Sequence, residues 1–367
     1  MNFNLKSDSV QNSNHLLLNP SVPKDSDFIK ELRENSLLQV MDELESQVSD
    51  LIKLQNPSLK FTSFELKKQV EEFFDVEDRL TYGNWVYYPW KNALVRILPE
   101  EEFIAVRTAR NKFKITQEEQ DLLSTKKIGV IGLSVGQSVA IALAMERSFG
   151  ELRIADFDTL ELSNLNRIRT GLYNLGLKKT TIVAREIAEI DPYLKVTIFE
   201  NGVSSESMDD FFTENGTLDL VIEECDSLEI KIETRIKAKN LGIPVLMDTS
   251  DRGMIDIERF DLEPNRMIFH GFLEKFGSES EILGLFAEKK VEILMSILDF
   301  ENISSAGKYS MSQIGLTITN WPQPATTVML GGAACAYYCR MVLTKKNQFS
   351  GRIYVDLDQY LEIPHES

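Results

Sequence analysis

The order of apolar and polar positions changes period along the chain. In FIKELRENSLLQVMDELESQVSDLIKLQ, Leu37, Met41, Leu44, Val48 and Leu51 recur three and four residues apart, which predicts one long amphipathic helix ended at Pro57. A shorter helix is predicted over FELKKQVEEFF. The stretch YGNWVYYPWKNALVRILPEEEFIAV sets Tyr82, Trp85, Tyr87, Tyr88 and Trp90 ahead of β-prone residues, a cluster expected in a core or at a domain seam. A boundary is placed near Pro99, followed by Glu100, Glu101 and Glu102 as a solvated charge run. Residues 1–100 therefore read as a mainly helical N-terminal extension, a clamp for a substrate or for a dimer. Its first 25 residues, rich in Asn and Ser, are expected to be loosely ordered.

From Lys126 the pattern becomes an alternation of strands and helices. KKIGVIG, ELRIADFD, LKVTIFE, LDLVIEE and IPVLMD read as strands. Residues 136–149, TTIVAREIAEI (stopped at Asp191-Pro192) and SLEIKIETRIKAKNL read as helices. Near-continuously apolar strands separated by helices predict a mostly parallel sheet covered on both faces. The fold class expected is α/β, a Rossmann-like doubly wound sheet, with a core over 126–261 inside a domain of residues 101–367. MIDIERFD and RMIFHG are expected as later, antiparallel strands. The tail, 271–367, is expected to hold a helix over 281–300, the small-residue helix LGGAACAYYCRMVL and a last strand GRIYVDL.

The chain has 367 residues, 43% hydrophobic and 26% charged, an ordinary globular balance. Its net charge of −17 argues against a broad nucleic-acid surface, because backbone binding requires Lys and Arg to neutralise phosphates. The three cysteines, Cys225, Cys335 and Cys339, form no CxxC pair, which points to a reducing compartment, no structural zinc and a role as buried small hydrophobes. The N-terminus lacks a basic segment followed by an apolar one, and no apolar run reaches the ~18 residues of a membrane helix. A soluble, cytoplasmic protein is expected.

Candidate chemistry begins at Gly132-Leu133-Ser134-Val135-Gly136, between the first strand of the alternation and its helix. Such a turn lets the backbone approach a phosphate seated on helix N–H groups. Asp156, 20 residues past Gly136, ends the second strand, where a carboxylate can accept from ribose hydroxyls. Ser134 stands where a second glycine is usual. The same residues also spell the G-x-S-x-G elbow of α/β-hydrolases, with Asp248 and His270 downstream as triad partners. Lys178 and Lys179 open a helix whose last turns carry Glu186 and Glu189, opposite to what the helix dipole favours, so the cations call for an anion. Asp226 follows the strand LDLVIEE and reads either as a helix N-cap or as a Mg²⁺ ligand.

Together these pieces resemble the ubiquitin-activating-type adenylyltransferases that include ThiF and MoeB. The resemblance rests on the glycine loop, the Asp156-Phe-Asp158…Ser-Asn164-Leu-Asn166-Arg167 segment, Gly176-Leu-Lys178-Lys179, Glu223-x-x-Asp226, and Arg107-Thr-Ala-Arg110-Asn, which looks like the family's R-x-x-R-Q motif. It implies ATP bound around Gly132, Ser134, Gly136 and Asp158, the ribose on Asp156, the phosphates on Asn164, Arg167 and Lys179, and Mg²⁺ on Asp226. It also implies that Arg110 acts on the nucleotide of a partner subunit, and hence a homodimer. The reaction implied is adenylation of a carboxylate, the C-terminus of a ubiquitin-like or sulfur-carrier protein or of a peptide. An NAD-dependent oxidoreductase and a non-catalytic nucleotide-binding scaffold are the other readings.

Overall fold

Asn35 and Ser36 interrupt what the heptad-like spacing predicts as one helix. In the computed structural model, which describes residues 14–360, the Asn35 side chain accepts from the Leu37 N–H (3.0 Å) and its carbonyl from the Leu38 N–H (3.0 Å). Such local bonds compete with helix. The segment becomes α1 (Pro23–Arg33), β2 (Gln39–Asp42) and α2 (Leu44–Gln55), preceded by β1 (Leu16–Leu18). Leu37 and Met41 are exposed, whereas Leu44, Val48 and Leu51 continue as the buried face of α2. Residues 14–25 accordingly include β1 and the start of α1, while 1–13, part of the stretch expected to be loose, lie outside the described residues.

The chain divides into two compact units, residues 1–118 with 185–194 and residues 119–184 with 195–367. In the first, α3 (Ser63–Val76) starts at a capping box in which Thr62 and Glu65 satisfy each other's backbone N–H. The aromatic stretch folds as the hairpin β3 (Asn84–Tyr88) and β4 (Ala93–Ile97), with Trp85, Tyr87 and Tyr88 buried, and Glu100–Arg107 forms α4. Helix predominates in this unit, but a four-stranded sheet of order β1-β3-β4-β2 is added to it, with β2 parallel to β4. Arg107 Nε holds Asp191 Oδ2 (3.0 Å), tying the Asp191-Pro192 stop into this unit.

α5 (Gln117–Leu123) begins two residues before the second unit, which is built on a seven-stranded sheet of order β11-β10-β9-β8-β5-β6-β7. The parallel strands are β5 (Lys127–Ile131), β6 (Glu151–Ala155), β7 (Lys195–Phe199), β8 (Leu220–Glu223) and β9 (Val245–Asp248). β10 (Met254–Glu258) and β11 (Gly351–Tyr354) add antiparallel. Between them come α6 (Gly136–Glu146), α7 (Lys179–Ile190), α8 (Met208–Thr213), α9 (Leu228–Leu241), α10 (Glu279–Gly284), α11 (Phe286–Ile297), α12 (Ser305–Gln313) and α13 (Ala325–Leu343), with α14 (Leu357–Tyr360) last. The order runs outward in both directions from β5, the doubly wound arrangement expected.

RMIFHG is not a strand. Ile268–Gly271 is a single 3-10 turn, with Phe269 and His270 both at positive φ. Buried carboxylates of β10 capture it: the Phe269 N–H donates to Glu258 Oε1 (2.6 Å), and His270 Nε2 lies 2.9 Å from Asp256 Oδ1. The sheet also carries charge where an apolar run is expected. Arg153 in β6 is buried and donates to the carbonyls of Phe211 (2.8 Å) and Gly216 (2.7 Å), while Arg235 lies between Glu223 and Glu258. Buried guanidiniums persist because each finds acceptors. Among the described residues no helix is long and apolar enough to cross a membrane.

At the end of β9, Asp248 is packed against Gly331 of α13, where a Cβ would overlap its carboxylate. Its Oδ1 accepts from the Ser250 N–H (2.8 Å), and burial pushes its carboxyl up to about 7. The folded state thus holds this proton more tightly than the unfolded chain, whose carboxyl titrates near 3.8. The stabilising effect is complete below that value, is lost as pH rises through about 7, and changes no further above it. Asp248→Asn is expected to flatten that part of the stability–pH curve, measured by urea unfolding at intervals from pH 4 to 8. An unchanged slope would contradict the assignment.

Candidate active site

The glycine loop lies where β5 ends. Gly132 has φ +85°, and a Cβ there would sit 2.7 Å from the backbone of Glu224 and Cys225, so the loop runs directly against the end of β8. Gly136 begins α6, whose first turn has no side-chain cap, leaving N–H groups directed at the loop.

Asp156 joins this loop to the segment after β6. Its Oδ2 accepts from the Leu133 N–H and its Oδ1 from the Asp158 N–H, both at 2.7 Å. Burial pushes its carboxyl up, while Lys179 and the two N–H donors draw it back. Residues 158–179 then leave the sheet and return. The Lys179 N–H donates to the Asp158 carbonyl (3.0 Å), the Leu160 N–H to the Leu177 carbonyl (2.8 Å), and the Gly176 N–H to the Leu160 carbonyl (3.0 Å). Leu160, Ile168 and Ile182 give the excursion its own small core, packed with Leu165 and Leu177.

Lys179 is 5% exposed and its Nζ donates to Asp158 Oδ2 (2.7 Å). It is therefore a buried cation facing a half-exposed carboxylate, not a solvated surface residue. Lys178, one residue before the helix, is spent on the carbonyls of Phe157 (2.7 Å) and Glu200 (3.2 Å). Asn164 is buried in the 3-10 turn Leu162–Asn166, where its Oδ1 accepts from the Glu161 N–H (3.0 Å). Arg167, directly after that turn, donates through Nε to Ser134 Oγ (2.9 Å) and through Nη1 to Asn166 Oδ1 (2.9 Å). Burial pushes its guanidinium down and Asp226 opposes the shift, which places Asp226 within electrostatic reach. Asp226 is exposed, and the N-cap of α9 is Ser227, which accepts from Ile230 N–H; the cap reading of Asp226 is thus corrected.

Gly132, Ser134, Gly136, Asp156, Asp158, Asn164, Arg167, Lys179 and Asp226 are accordingly collected at the carboxyl ends of β5, β6 and β8. Arg110 lies in the first unit, exposed on the turn Ala109–Asn111. The hydrolase triad does not form: Ser134 Oγ takes the Arg167 bond, His270 lies between Asp256 and Arg266, and Asp248 is engaged with Ser250. Burial pushes all three thiols up. Sequence reasoning missed Gln137, which is 2% exposed; its Nε2 donates to the Arg169 carbonyl (2.9 Å) and its Oε1 accepts from the Arg169 N–H (2.8 Å). The only available signal was an amide at the start of an otherwise apolar helix.

A model of the ThiF family matches residues 108–355. Uncharacterized protein MT1398 of Mycobacterium tuberculosis (strain CDC 1551 / Oshkosh) is 45% identical over 278 residues, 76% of this chain and 38% of that protein. The tRNA threonylcarbamoyladenosine dehydratase 2 of Saccharomyces cerevisiae is 24% identical over 252 residues, 60% of this chain and 56% of that protein. The chain thus spans 38% and 56% of the lengths of these two relatives. Among solved structures, selenomethionine PaaA shares the fold, with a TM-score of 0.50 at 18% identity over 71% of this chain and 84% of that one.

Because Gly132 combines a positive φ with a close backbone approach, Gly132→Ala is expected to cost about 1–3 kcal/mol of stability. Urea unfolding measures this. A wild-type midpoint would contradict the packing of the loop against β8.

Proposed function

The chain belongs to the ThiF family, and from that premise we propose that it uses ATP to adenylate a carboxylate. Members of the family are ATP-dependent adenylyltransferases. A carboxylate oxygen of the substrate attacks the α-phosphorus of ATP, the bond to the bridging oxygen breaks, and pyrophosphate leaves with the electron pair. The observation that carries this reading is the pair of shielded cations, Lys179 and Arg167, beside an uncapped helix N-terminus and a glycine held against β8. A chain that only bound a dinucleotide would need the loop and Asp156 but not both cations.

In this account the N–H groups of α6 and the Gly132–Gly136 loop receive phosphate oxygens. Asp156 has lone pairs left beyond its two backbone donors for a ribose hydroxyl. Lys179 and Arg167 exchange their carboxylate and hydroxyl partners for phosphate oxygens, and the excursion carrying Asn164 keeps Arg167 in place. Positioning and charge neutralisation supply the catalysis. Mg²⁺ fits the donor set, since it takes one or two carboxylates together with substrate phosphates. Asp226, exposed and not used as a cap, would hold it, and the ion would neutralise charge on the phosphates.

The substrate proposed is a C-terminal carboxylate of a ubiquitin-like or sulfur-carrier protein or of a peptide. The acyl-adenylate itself is taken as the species passed on, because Cys335 and Cys339 are fully buried and burial raises all three thiols. Residues of the first unit serve as clamp, and Arg110 reaches the nucleotide of a second protomer in a homodimer. The net charge of −17 disfavours a nucleic-acid substrate.

Lys179→Ala is expected to lower kcat/KM in ATP–pyrophosphate exchange by about 1.5–3 kcal/mol, the scale of a charged hydrogen bond, or roughly ten- to a hundredfold. Exchange at the wild-type rate would remove Lys179 from the site. Mixing Arg110→Ala with Asp226→Ala protomers is expected to restore part of the activity each lacks alone. A mixture as inactive as either variant would argue against a shared site.

A further inference from the structure

The glycine loop departs from a glycine-rich pattern at Ser134 and continues into Gln137, and both side chains reach the same short segment. Ser134 Oγ accepts from Arg167 Nε (2.9 Å). Two residues further on, the Gln137 amide meets both backbone groups of Arg169, donating to its carbonyl (2.9 Å) and accepting from its N–H (2.8 Å). Gln137 is 2% exposed and sits in the first turn of α6, next to the N–H groups that face the loop. A side-chain amide that satisfies both groups of one residue reproduces a strand-like pairing, and it fixes that residue in distance and in rotation. Residues 167–171 form neither helix nor strand.

We infer that Gln137 is a positioning residue for the nucleotide site, holding the Arg167–Arg169 segment against the start of α6 so that the Arg167 guanidinium stands over the loop before ATP arrives. The inference rests on the adenylation reading. Pre-placing a long cationic side chain removes part of the ordering cost of binding. On this view the substitutions in the loop relocate a cation and do not mark lost chemistry. Asn166, whose Nδ2 donates to the Gln323 carbonyl (2.9 Å) while its Oδ1 accepts from Arg167, steadies the same side chain from the opposite flank.

The test is a double-mutant cycle on the full chain, with ATP affinity read by calorimetry. Gln137→Met keeps the length and apolar packing of the side chain while deleting both hydrogen bonds. It is expected to weaken ATP binding roughly tenfold in the wild-type background, the scale of one to two net hydrogen bonds. In an Arg167→Ala background the same change is expected to have no further effect, because its route to the nucleotide is gone. Hydrogen exchange at the Arg169 amide, measured without nucleotide, is expected to quicken in Gln137→Met while amides of β5 and β6 keep their wild-type protection. An equal loss of affinity in both backgrounds would mean that Gln137 acts on the fold at large, and would overturn the inference. So would wild-type affinity in Gln137→Met. In both cases ATP still binds the wild-type chain and the adenylation reading stands, whereas a wild-type chain that binds no ATP would sink that reading and the inference together.

Discussion

The carboxylate of Asp156 is the constraint on which the site depends. It accepts from one N–H in the loop after β5 and from another in the segment after β6. One side chain thereby fixes the glycine loop and the start of the long excursion in a single frame. The excursion then closes on Asp158 twice, once through the Lys179 backbone and once through its ammonium group. The same loop is also held by the Gly132 N–H on the Ala155 carbonyl (2.8 Å) and by Arg167 on Ser134. Desolvation works against the ionised form of Asp156, and the frame stands because two backbone donors and a nearby ammonium offset it.

The charges around this frame share an arrangement. Lys179 is buried and Arg167 half-buried, whereas the carboxylates that balance them, Asp158 and Asp226, are exposed. An exposed carboxylate can turn away into water at little cost, while a shielded cation left alone cannot be resolvated. On the proposed reading, Lys179 would exchange its carboxylate and Arg167 its hydroxyl for phosphate oxygens. Elsewhere in the second unit the pattern differs: Glu223 and Glu258 are buried and both pair with the buried Arg235, and Lys231 also pairs with Glu223.

Much of this was legible in the sequence. The alternation from Lys126 predicts the parallel sheet, since β5 to β9 are mostly apolar runs with helices between them, and burial on both faces favours such runs. Asp156, Lys179 and Asp226 stand at strand ends or helix starts, which places them at one edge of the sheet. What escaped depends on partners distant in sequence. The spacing of Leu37 to Leu51 fits a helix, yet Asn35 ends α1 and β4 recruits Gln39–Asp42 into a sheet. RMIFHG has strand composition, but buried carboxylates on β10 bind it as a turn. Ser134 reads as a defect in a glycine loop until Arg167 is seen to donate to it, and Gln137 carries no recognisable motif because its partner is backbone.

The central claim is that the carboxyl edge of β5, β6 and β8 holds an adenine nucleotide. Hydrogen–deuterium exchange of the full chain with and without saturating ATP and Mg²⁺ tests it most directly. The account predicts added protection at 132–137, at 156–169 and around Lys179, with the four-stranded sheet of the first unit unchanged within one protomer. Protection absent from the glycine loop and the Asn164–Arg167 segment, or confined to other parts of the chain, would contradict it.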